Sequence, residues 1–432
     1  MSNPMQGEAL ERLAVLVAER TGLAFGRSKL ADLKSRLETA AGDWGARSAE
    51  DLVSSALSTS FNEQNWLRLT QHLTVNETYF WRDHAVFEAL IEDILPSIRT
   101  SGQLRIWSAG CSTGEEPYSL AIAADRAFPR ADGPDVRIFA TDINARNLDK
   151  ARQGIYGPWS FRGVPDWLKN EYFTSREDGR LEIRPDIRAR VTFEQANLVS
   201  GTLPRDPMDL IFCRNVLMYF TPEQAFAAAG RLGQCLARAG WLVVAASETF
   251  QPAVREFTPT AFPGAVLLRK LPPEPDEAKS SRPAPVRRTT VLVRTPRPAQ
   301  GSNIKPAVRE VSGGRSAEAL ARCTEAVADD RLNAGLHCRQ AVILLDMNRN
   351  EEAGAALRRA LYLDPHHVLA HYMMGSLRFR RGEREAAQRS FSTVRRLLEF
   401  WPDDRELPGA DGWTAKGLRP LLGYGQLREG PA

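Results

Sequence analysis

Leu104-Arg-Ile-Trp-Ser-Ala-Gly110-Cys-Ser-Thr-Gly114-Glu-Glu116-Pro117-Tyr118-Ser119 is the stretch that decides the fold. An apolar run stops at one glycine, a second follows four residues later, and a helical pattern opens around a proline. Glycines at the end of a strand let the backbone approach a ligand closely, and Pro117 suits the first helical position. This is a nucleotide-type cofactor turn. The dinucleotide pattern G-x-G-x-x-G is not met, and Glu115 and Glu116 at a helix start repel a pyrophosphate, which disfavours NAD. Two acids there suit a cofactor that carries a cation, such as the amino group of a methionine moiety.

Outward from this turn, apolar runs alternate with helix-length segments: Val136 to Asp142, Val191 to Phe193, Met208 to Cys213, Trp241 to Ala246 and Ala265 to Arg269. Such alternation predicts an α/β fold with a mostly parallel sheet covered on both faces. Residues 157–190 break the rhythm with Gly157-Pro158, an aromatic cluster and Gly179-Arg-Leu-Glu-Ile, which predicts a small inserted β subdomain within a domain spanning 76–270. Residues 1–75 read as short helices, with Leu10, Leu13, Val17 and then Leu30, Leu33, Leu37 at helical spacing. Residues 271–310 hold eight prolines among Ser, Thr and Arg, and read as a linker. Beyond it a period of 34 relates Ala319, Ala353 and Ala387, and Cys323, Leu357 and Phe391. Small residues at fixed points let antiparallel helices approach, so 311–405 resembles a tetratricopeptide repeat array, followed by a tail at 406–432. His366, His367 and His371 read as surface residues at the start of a repeat helix, and no metal site is expected.

Composition narrows the function. The 432 residues are 43% hydrophobic and 25% charged, with a net charge of +4 that the linker alone accounts for, so a basic nucleic-acid-binding face is not expected. Cys111, Cys213, Cys235, Cys323 and Cys338 lie far apart without paired spacing, which points to a reducing, cytoplasmic setting. No apolar run approaches the roughly 18 residues of a membrane span, so no membrane insertion is expected. Thr141-Asp142 closes the second strand, where a carboxylate can accept from both hydroxyls of a ribose. Asn197-Leu198 follows the third strand and Arg214-Asn215 the fourth, again at carboxyl ends of strands, where open α/β sheets bind ligands. The competing reading of Asp142 is a cap for the helix beginning near Asn144.

Asn76-Glu-Thr78-Tyr-Phe-Trp-Arg82, Ser-Thr-Gly114-Glu-Glu116-Pro-Tyr-Ser, Phe-Ala-Thr-Asp142-Ile, Asn197-Leu198 and Ile-Phe-Cys-Arg214-Asn215-Val-Leu-Met-Tyr219-Phe together resemble the chemoreceptor glutamate methyltransferases, the CheR family. The resemblance runs from about residue 8 to 270. It implies a Rossmann-like class I methyltransferase sheet and transfer of a methyl group from S-adenosylmethionine, leaving S-adenosylhomocysteine, to glutamates on the cytoplasmic helices of a chemoreceptor. It further implies that Asn76, Thr78, Arg82, Glu116, Asp142, Asn197, Leu198, Arg214 and Asn215 bind the cofactor together with the turn glycines Gly110 and Gly114. Arg82 and Tyr219 are then nearest the reaction. The competing readings are an ion pair between helices and sheet for Arg82, and packing in the run Val216 to Phe220 for Tyr219.

A glutamate is ionised at pH 7 and needs neither general base nor metal, only alignment with a sulfonium methyl. Arg82 can hold one carboxylate oxygen while the other attacks, and Tyr219 can lie near the cationic cofactor. Two departures from the family follow. The turn Thr174 to Arg180 is short beside those that bind a receptor-tail pentapeptide, which argues against such tethering. The second helix carries Arg27, Lys29, Lys34 and Arg36 but continues into Glu38-Thr-Ala-Ala, so docking through that face is weaker or differently directed. The repeats are expected to recruit a protein partner, as in Wsp-type systems, whose output is often cyclic-di-GMP signalling. The alternative is a non-catalytic scaffold that senses the cofactor or its demethylated product.

Overall fold

The computed structural model describes residues 4–26, 29–98, 102–129, 133–245, 248–249, 252–254, 256–262, 265–270, 316–347, 349–399, 401–407, 414–419 and 422. The linker expected at 271–310 lies outside them.

Four helices come first: α1 (Pro4–Thr21), α2 (Leu30–Trp44), α3 (Ala49–Ala56) and α4 (Glu63–Leu73). The periodic leucines of the sequence form their shared core, with Leu13, Val17, Leu33, Leu37, Leu52 and Leu69 buried. Ser48 and Asn62 cap α3 and α4 by accepting from backbone N–H groups three residues on. Next come α5 (His84–Ala89), a single π turn Leu90–Ile94 and α6 (Leu95–Ser97).

The sheet region runs β1 (Gln103–Ala109), α7 (Glu115–Ala127), β2 (Asp135–Asp142), α8 (Ala145–Gln153), β3 (Ile155–Tyr156), α9 (Asp166–Tyr172), β4 (Phe173–Ser175), β5 (Leu181–Ile183), α10 (Pro185–Arg188), β6 (Val191–Gln195), β7 (Met208–Phe212), α11 (Pro222–Cys235), β8 (Leu236–Val243), β9 (Thr258–Phe262) and β10 (Ala265–Arg269). Seven strands lie in the order β6-β2-β1-β7-β8-β10-β9, with β3-β5-β4 as a separate small sheet in the inserted segment. The pairs β1 with β2, β1 with β7, β2 with β6 and β7 with β8 are parallel, while β10 runs antiparallel to both neighbours.

The direction of winding reverses between β1 and β7, which opens a crevice at their carboxyl ends. Parallel strands covered on both faces need apolar side chains on both, and β1 supplies them: Leu104, Ile106, Trp107 and Ala109 are all buried. The Trp107 indole donates to Thr141 Oγ1 at 2.9 Å, locking β1 to β2 just below the crevice.

The remaining helices are α12 (Ser316–Asp329), α13 (Ala334–Asp346), α14 (Asn350–Leu363), α15 (Val368–Arg380), α16 (Arg384–Leu398) and α17 (Ala415–Leu418). Cys323, Ala341, Ala353, Leu357 and Ala387 are buried where neighbouring helices meet, and a Cβ on Gly375 would come within 2.6 Å of Phe391. The surface reading of His367 is corrected: it is buried, and its Nδ1 accepts from Ala370 N to cap α15. The α17 helix meets β9, and Val266 of β10 packs into the core of these helices.

Candidate active site

The crevice between β1 and β7 widens into a cavity whose floor is the glycine turn after β1. Gly110 and Cys111 donate to Thr141 O at 2.7 and 2.9 Å, so the turn rests on the end of β2. Gly110 has φ +84°, and a Cβ there would lie 2.5 Å from Val216 Cγ2 of the loop after β7. No other residue type fits that approach without moving the loop. Pro117 is corrected from the first helical position to the third, because α7 starts at Glu115 behind Gly114.

Asp142 bridges two loops. Its Oδ2 accepts from Ser112 N and its Oδ1 from Asn144 N, both at 2.8 Å. The cap of α8 is Asn144, whose side chain accepts from Arg146 N and Asn147 N, so Asp142 is not the helix cap. Across the cavity, Arg214 ties the loop after β7 to the segment before α5. Its guanidinium donates to Arg82 O at 2.7 Å and pairs with Asp83 at 3.4 Å. Arg82 donates to Glu77 O at 3.5 Å, with its guanidinium carbon 5.6 Å from the Tyr79 ring centre. The tie between helices and sheet imagined for Arg82 is made by Arg214.

The roof is a segment the sequence did not single out. Ala24 N donates to Tyr219 O at 2.8 Å and Thr221 N to Gly22 O at 3.2 Å, so the chain leaving α1 crosses the loop after β7. Asn197 holds the other side, donating to Arg20 O at 2.6 Å and accepting from Val199 N. Lys29, Asp32 and Arg36 of the second helix and its approach also line the cavity.

Burial governs the charges. It pushes Glu116 and Asp142 above the ordinary carboxylate range; for Glu116, Arg214, Ser108 and Arg82 oppose the shift. Burial also pushes the Tyr219 hydroxyl up to about 12, so at neutral pH it is protonated and able to donate. Glu115 parts from Glu116: its carboxylate turns away, accepts from Thr113 and Ser160, and does not line the cavity.

The cavity therefore gathers Thr78, Arg82, Gly110, Glu116, Asp142, Asn197, Leu198, Arg214, Asn215 and Tyr219. Two expected ligands stand outside its lining. Asn76 is exposed and accepts from Asn147 Nδ2 at 2.6 Å, and Gly114 packs where a Cβ would meet Ala151 and the Tyr156 hydroxyl. Sequence reasoning also missed Glu248, which is fully buried. Its Oε1 accepts from Val216 N and Met218 N, and its Oε2 from Asn215 N and Ala245 N, at 2.8 to 3.1 Å. Its one signal is its position just beyond the carboxyl end of β8.

Residues 76–264 match the family model described as the CheR methyltransferase, SAM binding domain. A chemotaxis protein methyltransferase of Vibrio anguillarum is 32% identical over 240 residues, which is 55% of this chain and 87% of the relative. Chemotaxis protein methyltransferase 1 of Pseudomonas aeruginosa is 34% identical over 247 residues, 55% of this chain and 89% of that one. The chain belongs to the CheR methyltransferase family. It is an enzyme of the α/β class I methyltransferase fold, with S-adenosylmethionine as cofactor.

The cavity fits that cofactor. Among the described residues, buried Ser112 Oγ and Arg82 Nε find no partner, and the Asp142 carboxylate keeps acceptor capacity beyond its backbone bonds. A CheR family member needs a site for one cationic, hydroxyl-bearing ligand, and buried Glu116 and Asp142 supply the matching acceptors.

Proposed function

We propose that this chain methylates glutamate side chains on the cytoplasmic helices of a chemoreceptor, making it a protein-glutamate O-methyltransferase of the cytoplasm. The observation that carries the reading is the meeting of Arg82 and Tyr219 with Glu116 and Asp142 around one cavity, a cation and a neutral donor beside two acceptors. A sensor of the cofactor requires only the acceptors.

Asp142 takes the ribose hydroxyls in this reading, and Glu116 faces the amino group of the methionine moiety. Thr78, Gly110, Asn197, Leu198, Arg214 and Asn215 complete the binding wall. The cofactor supplies an electrophilic methyl on a sulfonium. Arg82 holds one oxygen of the acceptor carboxylate and leaves the other free to attack, and Tyr219 steadies the entering side chain by its protonated hydroxyl. No base is required, since the acceptor is already ionised at neutral pH.

The helices from α12 to α16 act as tetratricopeptide repeats that recruit a protein partner, a reading supported by the burial of Cys323 with Leu357 and of Ala353 with Ala387, each pair spaced 34 apart. The fusion suits a Wsp-type pathway. Incubation with labelled cofactor and membranes from the protein's own organism tests the whole reading. A receptor polypeptide should acquire base-labile label, as a methyl ester requires. Label that survives base, or none at all, refutes it.

A further inference from the structure

Beside the cavity mouth stands a row of alternating cations and rings. The guanidinium carbons of Arg82 and Arg162 lie 5.6 and 4.0 Å from the centre of the Tyr79 ring between them, and that of Arg162 is also 4.4 Å from the centre of Trp159. Tyr79 and Arg82 line the cavity, whereas Trp159 and Arg162 do not, so the row leads from the site outward. At its outer end Trp159 is 71% exposed, an unusual placement for so large an apolar side chain.

The row is held rigidly. Phe80 N donates to Ser160 O at 2.9 Å, Ser160 Oγ donates to buried Glu115 at 2.9 Å, and Arg162 donates to Trp159 O at 2.9 Å and Thr78 O at 3.4 Å. The inserted segment is thus pinned both to the loop carrying Arg82 and to the first turn of α7. A surface that is ordered before its partner arrives loses little freedom on binding, and exposed Trp and Arg are the residue types that dominate interface energetics.

We propose that Trp159 and Arg162 form a docking ledge for the acceptor protein, specifically for the acidic helical segment that presents the glutamate to Arg82. The inference rests on the reading of the chain as a protein-glutamate methyltransferase. The ledge offers an aromatic face for the apolar side of that helix and a stacked guanidinium whose 3.4 Å pair with half-exposed Glu77 an incoming acid would share or displace, in continuity with the cation inside the cavity. A free amino acid or small metabolite reaching Arg82 would have no use for it.

The test uses the full chain and a receptor cytoplasmic fragment that the wild type methylates, comparing Trp159→Ala, Trp159→Phe and Arg162→Gln. The ledge predicts that Trp159→Ala and Arg162→Gln raise KM for the fragment by about tenfold or more while kcat and calorimetric affinity for S-adenosylhomocysteine stay within about twofold, and that Trp159→Phe recovers most of the loss. An unchanged KM in Trp159→Ala overturns the ledge and leaves the enzyme assignment standing. A fall in kcat and cofactor affinity together overturns it too, since that marks Trp159 as part of the cofactor site's framework. If the wild type methylates no receptor fragment, the assignment of acceptor and the ledge fall together.

Discussion

Replacing Glu248 by Gln should unsettle the site although Glu248 does not itself line the cavity. The carboxylate takes four backbone N–H groups, two on each oxygen, from Asn215, Val216, Met218 and Ala245. An amide of the same size offers one acceptor oxygen, so at best two of the four keep a partner and the other two face an NH2 group. Each buried donor left unsatisfied costs about 1–3 kcal/mol, which gives roughly 2–5 kcal/mol in all, since bonds to one side chain do not add freely. Whichever way the amide turns, the loop after β7 loses at least one hold: Asn215 N, at φ 56°, together with Ala245 N, or Val216 N together with Met218 N. The loop carrying Arg214, Asn215 and Tyr219 relaxes, and S-adenosylhomocysteine should bind about tenfold or more weakly. Urea unfolding, calorimetry and hydrogen exchange of the four amides measure the three effects. If unfolding shifts by less than about 0.5 kcal/mol and the four amides exchange as slowly as in the wild type, the clamp assigned to Glu248 does not exist.

Three further expectations follow from the same geometry. Arg82→Ala should lower turnover far more than it lowers affinity for S-adenosylhomocysteine, and equal losses in both would make Arg82 chiefly a cofactor ligand. Burial raises Glu116 and Asp142, so the folded, ligand-free protein binds protons more tightly than the unfolded chain; their contribution to stability is greatest below about pH 4 and is lost as pH rises through their raised values. A cationic ligand prefers the ionised pair, so cofactor affinity should climb with pH across that window with proton release, and calorimetry in buffers of differing ionisation heat would expose a flat profile as a refutation. Deleting residues 271–432 should leave a folded protein that binds S-adenosylhomocysteine, because every residue lining the cavity lies at or before Phe220, although the deletion uncovers Val266 and the part of β9 that α17 meets. Receptor methylation should then fall at low enzyme concentration and recover at high, and insolubility of the truncated chain, or faster turnover at every concentration, would end the recruitment reading.

The sheet was legible because its signals are local. Glycine at 110 is demanded by an approach to Val216 that any Cβ would block, and the apolar runs at β1, β2, β7 and β8 are the cores of parallel strands. Asp142, Asn197 and Asn215 were legible for the related reason that strand ends point at the crevice. The illegible features depend on rotation or on distance. Glu115 and Glu116 are adjacent, and a helix turns about 100° between them, so one faces the cavity and the other the inserted segment. The roof at Thr21 to Phe25 joins Tyr219 across nearly two hundred residues; its one sequence mark is Gly22, at φ +80° with room for no Cβ against Val199 and Phe220, and by itself that glycine reads only as the end of α1. Arg214 lines the cavity, as its place at a strand end suggests, but no local signal announces its bonds to Arg82 O and Asp83.

Backbone strain explains why so many polar groups here serve the protein before they serve a ligand. Among the described residues, non-glycine left-handed conformations occur at Trp81, Asp83, Ser112, Asn215 and Ala239; Ser112 and Asn215 line the cavity, and Trp81 and Asp83 flank Arg82, which does. Each such residue costs of the order of 1–3 kcal/mol and persists only where its surroundings hold it. The holders can be named. Ser119 Oγ takes Trp81 N, Arg214 pairs with Asp83, Asp142 takes Ser112 N, and Glu248 takes Asn215 N. Four buried side chains from different elements therefore fix the shape of the cavity in the ligand-free protein, which is the preorganisation that alignment of two reactants requires. Loss of any of these four should lower stability and cofactor affinity together. Arg82 and Tyr219 hold no strained residue by their side chains, and their loss should fall on turnover, so the two groups are separable by measuring unfolding and binding on the same variants.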